Sequence, residues 1–383
     1  MTSSPNVSTY DEFQKLPILD RATLNQFSPV DRLCTPISAV DDIRSTSGTS
    51  GQMPLFYFRT TGYRHMARVL VQAGARRKIY LWGYQHVITH VENDRLEGLQ
   101  TVICDPQQLP QHVPLVSAMK ADTLAGTPSL LLLFGQLLDN IDDRLRIRFL
   151  ELTGEPGRPQ TMMALRQVFP LAKIYHHYAM GEMGLETGIR TPKCDRQDSG
   201  YFHLNPEGIF AEEHKGELLL THLNTPTAFP LIRYKTGDRI NWLRHDRCQC
   251  GHEGISFELS GRSNVDFVRI AGVELRYDEI AGLLTQFDDA LEPYLAVEVS
   301  EHISDAKQQV TLILKIVAKG AATLGTEQLA EQICGVVSQN LKLSATTRLK
   351  DMIDARYFTS PKVKFLPELP VSTKAPGIRL VER

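Results

Sequence analysis

Residues 45–52 read Ser45-Thr46-Ser47-Gly48-Thr49-Ser50-Gly51-Gln52, a density of small hydroxyls and glycines that lets a backbone loop close around phosphate oxygens. Glycine admits left-handed backbone and close approach of a ligand, and Ser and Thr hydroxyls add donors to an anion. Such a loop suits a nucleoside triphosphate. A phosphate loop of the G-x-x-x-x-G-K-[ST] type carries a lysine after its second glycine, whereas Gln52 stands there in this chain, so fewer groups remain to hold phosphate. Further signals follow in order: Gly154-Glu155-Pro156, Tyr178-Ala179-Met180-Gly181-Glu182, Tyr234-Lys235-Thr236-Gly237-Asp238, and Gly261-Arg262 followed at a distance by Lys374. Cys248-Gln249-Cys250 sits too tightly for a typical disulfide. Six cysteines in 383 residues are also too sparse for a disulfide scaffold, which turns attention to metal ligation.

These residues need elements to hold them. The first forty residues read as helix and loop pieces broken by Pro17, Pro29 and Pro36. Met66, Val69, Leu70 and Ala73 fall at helical spacing within residues 61–77, and the apolar run 100–104 predicts a buried strand. Gly126-Thr127-Pro128-Ser129 opens a helix with Ser129 near its start. Residues 146–152 predict a strand, and the loop Gly154-Glu155-Pro156-Gly157 lies at its carboxyl end, where ligands bind in alternating α/β folds. A helix over 160–169, a strand into Ile174 and a second loop over 178–184 follow. The texture then turns to β, with strands over 216–223 and 229–234 separated at Pro226 and a turn at Thr236-Gly237-Asp238-Arg239.

Past Gly261-Arg262-Ser263 the pattern becomes a small α+β unit, with strands over 266–270, 295–300, 309–317 and 362–366 and helices over 277–287 and 326–341. Its own amphipathic helices place a domain boundary near Ser263, giving a large domain over 1–263 and a small one over 264–383. Pro376 and Gly377 make the tail 371–377 a loop, in which Lys374 has freedom to reach into a site. The expected class is α/β: a large N-terminal domain of αβ-layered subdomains plus a β-rich part, and a small mobile C-terminal α+β domain.

Composition narrows the partners. A chain of 383 residues suits two or three domains with a cleft between them, which favours a buried small molecule. The 42 Lys+Arg against 44 Asp+Glu leave a net charge of -2, with no global attraction to nucleic acid or an anionic membrane. The longest apolar run, 130–134 extended by Leu137 and Leu138, is interrupted by Gly135 and Gln136 and falls short of a membrane span. Met1-Thr2-Ser3-Ser4-Pro5 has neither a basic n-region nor an apolar h-region, so a cytoplasmic location is expected.

The ordered set of signals resembles the adenylate-forming superfamily of acyl-CoA synthetases and peptide-synthetase adenylation domains. Within it, the set resembles the phenylacetate-CoA ligase branch, which also shows a cysteine pair just before the Gly-Arg motif. The resemblance spans about residues 45–380. It implies that a carboxylate attacks the α-phosphate of ATP to give an acyl-adenylate and pyrophosphate, after which CoA, a carrier protein or another acceptor takes the acyl group. Two anions must meet, so catalysis is mostly positioning and electrostatic stabilisation, shared by Mg²⁺, the Ser/Thr/Gly loop and a mobile lysine.

By resemblance Lys374 is that lysine, Ser45 to Gly51 grip the pyrophosphate, and Glu182 holds Mg²⁺, a hard cation that takes carboxylate oxygen. Tyr178, followed by Ala179 in the same motif, stacks on the adenine, while Asp238 accepts from the ribose hydroxyls. Gly154, Glu155 and Pro156 line the adenine, and Arg262 lies near ribose and phosphate at the domain boundary. Trp82, Gly83 and Tyr84 occupy the region of the acyl pocket, where aromatic rings suit a flat acid. In zinc-containing members the Cys-x-Cys-Gly element, here Cys248 to Gly251, joins an upstream cysteine and a histidine. Cys194 and His203 match those places, a Cys₃His set for structural Zn²⁺, with His252 as the alternative fourth ligand.

The chain departs from the family pattern at Gln52, at Ala179 in place of a glycine, and at Gly181 in place of Ser or Thr. One extra residue before Gly272-Val273 leaves the hinge at either Asn264 or Asp266. Only 44 residues precede the phosphate loop, which implies a reduced N-terminal part. Losing one preorganised donor costs about 2.7 to 4 kcal/mol of transition-state stabilisation. Two readings therefore stand: an acid-activating ligase, and a protein that binds the acid without turnover. The compact chain also resembles a small adenylating protein of the griseoluteic acid pathway, which implies a phenazine carboxylate as substrate and an acceptor protein or downstream pathway enzyme as partner.

Overall fold

The computed structural model describes the chain outside residues 1–6, 46–54, 59–64, 83, 156, 184, 195, 197–199, 206–207, 224–226, 263–266, 305–306, 320–324, 345–346, 368–376 and 383. No described helix is long and apolar enough to cross a membrane. Contacts divide the chain into two units, one of Met1–His65 with Tyr175–Ser263 and the other of Met66–Ile174 with Asn264–Arg383.

In the second unit four parallel strands lie in the order Gln100–Cys104, Arg77–Leu81, Thr123–Gly126, Phe149–Leu152. The last two strands are buried at every residue, as expected when helices cover both faces of a parallel sheet. Their connections run through the helices Tyr84–Leu96, Leu109–Met119, Pro128–Leu137 and Ile141–Arg146. The helix Pro128–Leu137 starts where the sequence predicts: Thr127 caps it by accepting from the Leu130 N–H, and Pro128 occupies its first position. Residues 128–135 are all buried, and each of the four leucines among them contributes about 1.5–3 kcal/mol.

The strands also bury one ionic cluster. Lys78 Nζ lies 2.5 Å from Glu151 Oε2 and 2.9 Å from Asp94, and the Tyr80 hydroxyl donates to Asp94 at 2.8 Å. One cation faces two carboxylates there. Burial, aided by Glu151 and opposed by Lys78, pushes the Asp94 carboxyl up from 3.8 to about 6.

The remainder of this unit is α+β, as the sequence predicts past Ser263. A hairpin of Phe267–Ile270 and Val273–Arg276 leads into the helix Tyr277–Leu284. A four-stranded sheet follows in the order Lys362–Leu366, Lys307–Ala318, Leu291–Ser304, Ile378–Glu382. Its central pair is antiparallel and its outer strands are parallel. The helix Thr326–Asn340 buries Leu329, Ile333 and Val337, spaced every four residues along one face.

The first unit is an antiparallel sheet in the order Ile209–His214, Glu217–His222, Tyr234–Arg247, Glu253–Arg262, Tyr201–Leu204, Leu185–Arg190, ending on the strand Lys173–Met180. Phe202, Leu204, Leu218, Leu220, Leu231 and Phe257 form its core. Three readings of the sequence change here, the first being residues 229–233, read within a strand and found outside any strand. Residues 178–180, read as loop, end a strand paired with Leu185–Arg190 through a register shift after Tyr178. Thr236 to Arg239, read as a turn, lies inside the 14-residue strand Tyr234–Arg247. Gly237 takes φ +77° and the pairing slips at Ile240, so a bulge absorbs the irregularity that a turn would have used.

Candidate functional site

Two of the carboxylates named from the sequence, Glu182 and Asp238, lie in the first unit. Glu182 sits in the short 3₁₀ turn Gly181–Met183 that ends the strand Lys173–Met180, and it is buried to 7% exposure. Its Oε1 receives Arg21 Nη2 at 2.9 Å and the Tyr234 hydroxyl at 3.5 Å. Asp238 lies on the bulged strand, buried, with Tyr178 Oη donating to its Oδ2 at 2.5 Å. The Asp238 N–H donates to Thr236 Oγ1, which in turn donates to the Leu218 carbonyl, so the bulge itself fixes the carboxylate's backbone. Edge contacts from Phe257 and a tilted Phe202 hold the Tyr178 ring. In the register of the two long strands Arg262 stands opposite Asp238.

Arg21 was not among the residues read from the sequence. Asp20 caps the short helix Arg21–Leu24 by accepting from the Thr23 N–H at 2.7 Å. Leu19 pairs with Tyr234 in a parallel bridge, which delivers Arg21 to the Tyr234–Glu182 corner. The one sequence signal for it is a cation upstream of a phosphate loop whose lysine is missing.

Gly154 and Glu155 belong to the other unit. Gly154 has φ +80°, and a Cβ there would stand 2.6 Å from Trp82 Cη2, so glycine is required both by the backbone and by the indole packed against it. Trp82, read as a wall of the acyl pocket, thus touches the loop read as lining the adenine. Glu155 Oε2 accepts from Ser129 Oγ at 2.6 Å, and burial pushes its carboxyl above the ordinary range against those bonds. Thr46 to Gln52, Gly83, Pro156, Asn264, Asp266 and Lys374 lie outside the described residues, and Ser45 ends the strand Asp42–Ser45, paired with Leu55–Phe58.

A second cluster gathers at the far end of the two long strands. Cys194, His203, Cys248 and Cys250 bring one ligand atom each to within 4.8 Å of one another. The Cys248–Cys250 pair lies in the turn joining Tyr234–Arg247 to Glu253–Arg262, and His203 projects from the strand Tyr201–Leu204. His203 Nε2 meets Cys194 Sγ at 3.3 Å and Cys250 Sγ at 3.2 Å, while Nδ1 is engaged by Ser256 Oγ at 3.0 Å and Tyr201 Oη at 3.1 Å. That leaves Nε2 for a metal, oriented from behind as ligating histidines are. Burial pushes the Cys194 thiol up to about 12 and the His203 imidazole down to about 4. Three sulfurs and a neutral imidazole fit a tetrahedral closed zinc site. His252, the alternative ligand, instead stacks on His203 with centroids 4.1 Å apart and directs Nε2 to the Ile255 carbonyl at 3.3 Å.

No protein-family model and no curated protein matches this sequence. The fold does match solved structures, and it is the fold of the adenylate-forming acyl-CoA synthetases. The chain is similar to 2-hydroxyisobutyryl-CoA ligase crystallised with 2-HIB-AMP and CoA in the thioesterification state. Identity is 18%, the match covers 98% of this chain and 82% of that one, and the TM-score is 0.63. Against the same ligase in its postadenylation state with 2-HIB-AMP, the values are 17%, 97%, 82% and 0.53. An o-succinylbenzoate CoA synthetase from Bacillus subtilis, bound with a product analogue, is 14% identical over 88% of this chain and 68% of that one, with a TM-score of 0.53.

Proposed function

We propose that this protein activates a small carboxylic acid with ATP, as an acyl-adenylate, and passes the acyl group to CoA, a carrier protein or another acceptor. The observation that carries the reading is that Glu182 and Asp238 are both buried, each held by its own donor, within an acyl-CoA synthetase fold. In the reaction an oxygen of the acid attacks the α-phosphorus, the bond from that phosphorus to the β-bridging oxygen breaks, and its electron pair leaves with pyrophosphate. Asp238, whose Oδ2 is engaged by Tyr178, would accept from the ribose hydroxyls as a carboxylate can. Glu182 keeps Oε2 for magnesium, since its contacts among the described residues fall on Oε1. Bound there, the ion would supply the charge neutralisation that the triphosphate needs. Arg21, beside it, adds a fixed positive group where Gln52 stands in place of a lysine.

The finer parts of the reading come from the sequence. Ser45 to Gly51, Arg262 and Lys374 grip the phosphates, and residues 264–383 act as a small domain that rotates between adenylation and transfer. The branch is phenylacetate-CoA ligase-like, the acid is aromatic with phenazine carboxylates among the first to try, and zinc occupies the Cys₃His cluster as a structural ion.

Pyrophosphate exchange with ATP, Mg²⁺ and a panel of aromatic acids tests the reading, run beside Glu182→Ala and Lys374→Ala. Acid-dependent exchange in the wild type, lost in both variants, is the expected result. Exchange unaffected by either substitution would sink the site assignment. The second reading, acid binding without turnover, draws on Gln52 and Gly181. It predicts measurable acid binding with no exchange for any acid of the panel.

A further inference from the structure

We infer that Arg233 is a positioning residue of the site: it clamps residues 13–19 to the sheet and thereby holds Arg21 against Glu182. The inference rests on the ATP reading above for what Arg21 does, while the clamp itself stands on geometry within one unit. Arg233 directly precedes the strand Tyr234–Arg247 and is 6% exposed, with a left-handed backbone at φ +50° that is uncommon outside glycine. Its N–H donates to Thr221 Oγ1 at 2.8 Å, which pins that backbone. Its Nε donates to Glu212 Oε2 at 3.1 Å, and Glu212 is buried as well. Its Nη1 donates to two main-chain carbonyls of the N-terminal segment, that of Leu16 at 2.6 Å and that of Gln14. The guanidinium carbon also lies 5.9 Å from the centroid of the Phe13 ring, which meets Phe210 edge to face at 5.7 Å. Phe210 and Glu212 stand on the same strand, Ile209–His214.

The main chain supplies a second hold. The Arg233 carbonyl accepts from the Leu19 N–H at 3.1 Å, and the Lys235 N–H donates to the Leu19 carbonyl at 2.7 Å. These two bonds need no particular side chain at 233, whereas the hold on Gln14 and Leu16 needs a guanidinium. One planar fork serves a carboxylate and two carbonyls together, which a compact ammonium on a flexible stem does not. Pro17, between the two holds, fixes its own φ and restrains Leu16 before it, so little slack remains between Leu16 and Leu19.

Arg21 follows two residues later, and Leu24 beyond it is 1% exposed in the core of this unit. Arg21 is thus tied on both sides, with its Nη2 2.9 Å from Glu182 Oε1. Without the Arg233 guanidinium, Glu212 loses a buried donor and the carbonyls of 14 and 16 lose theirs. The segment that carries Arg21 can then shift against Glu182. A misplacement of about 1 Å in a reacting site costs up to about a hundredfold, so a clamp far along the chain from Glu182 still bears on the rate.

Two measurements on the full chain test this. With no ligand present, hydrogen exchange read by mass spectrometry should be severalfold faster over residues 13–24 in Arg233→Met than in the wild type. In pyrophosphate exchange, Arg233→Met should raise the KM for ATP severalfold with little change in kcat. Added to Arg21→Ala, it should raise that KM no further, because both substitutions remove the same contact. Glu212→Gln, a milder change that keeps an acceptor for Nε, should move both readouts in the same direction by less, and it decides the matter if Arg233→Met does not fold. Unchanged hydrogen exchange over 13–24 in both variants overturns the clamp, and so does faster exchange confined to 13–16 with 19–24 unmoved. Effects of Arg21→Ala and Arg233→Met that multiply in KM, or a fall in kcat at constant KM, overturn the link to Arg21. A wild type that exchanges no pyrophosphate with any acid counts against the ATP reading, and the ligand-free measurement still decides the clamp.

Discussion

Arg21 and Glu182 form the most consequential contact of single residues, because a guanidinium occupies one oxygen of the carboxylate that the resemblance gives to magnesium. The Arg21 side chain is a third exposed, so its pairing alone stabilises the fold little, but the buried Glu182 would be left with Tyr234 as its described donor. Arg21→Ala should therefore cut pyrophosphate exchange on the order of ten- to a hundredfold through the KM for ATP, while Arg21→Lys retains most of the rate. An unchanged KM in Arg21→Ala would remove Arg21 from the site. Asp94 offers a test that needs no substrate. Its folded pKa, about 6 against an ordinary 3.8, means that the native state holds the proton longer, so stability present below pH 4 is lost as pH rises through 6. The span corresponds to at most about 3 kcal/mol, and urea unfolding between pH 4 and 7 should show that decline. Asp94→Asn should flatten it; a parallel curve for the variant would assign the slope to other groups.

At the scale of elements, the sequence made the parallel strands and the C-terminal α+β segment legible because apolar periodicity is a local signal, although the strand 100–104, expected to be buried, lies at the sheet edge with Cys104 alone buried. The strand 100–104 and the helices begun at Pro128 and Pro159 appear within a residue or two of expectation. What it did not reveal depends on distant pairing. Gly237 reads as a turn in any short window, and pairing with the neighbouring strands keeps residues 236–239 within one bulged strand. The site divides the same way: Glu182, Asp238 and the four cluster ligands carry motif spacing, whereas Arg21 gains meaning only from a partner far along the chain. Glycine supplies a sharp test at this scale. Gly154 and Gly216 share a left-handed backbone, φ +80° and +77°, but a Cβ at Gly154 meets Trp82 at 2.6 Å and one at Gly216 meets nothing nearer than 4.0 Å. Gly216→Ala should cost about 1–2 kcal/mol from the backbone alone, and Gly154→Ala should cost more, with the difference removed by Trp82→Ala. Equal urea midpoints for the two single variants would show that the indole yields freely.

For the whole molecule, two units with separate apolar cores imply that unfolding need not be a single transition. The Cys₃His cluster belongs entirely to the unit of residues 1–65 and 175–263, where it ties the segment after Leu185–Arg190, the strand Tyr201–Leu204 and the turn at Cys248–Cys250 into one corner. A metal bound by the folded corner and not by the open chain stabilises through mass action, and it acts on that unit alone. Native mass spectrometry should then find one zinc per chain, lost in Cys250→Ser. Chelation at neutral pH should lower the melting of that unit by on the order of 5–10 °C while the transition of the other unit stays in place. The His203→Cys variant, which keeps a four-ligand set, should retain the metal. A chain that carries no zinc, or whose two transitions respond equally to chelator, would leave the cluster as a packed set of thiols, with His203 held in place by Ser256 and Tyr201 alone.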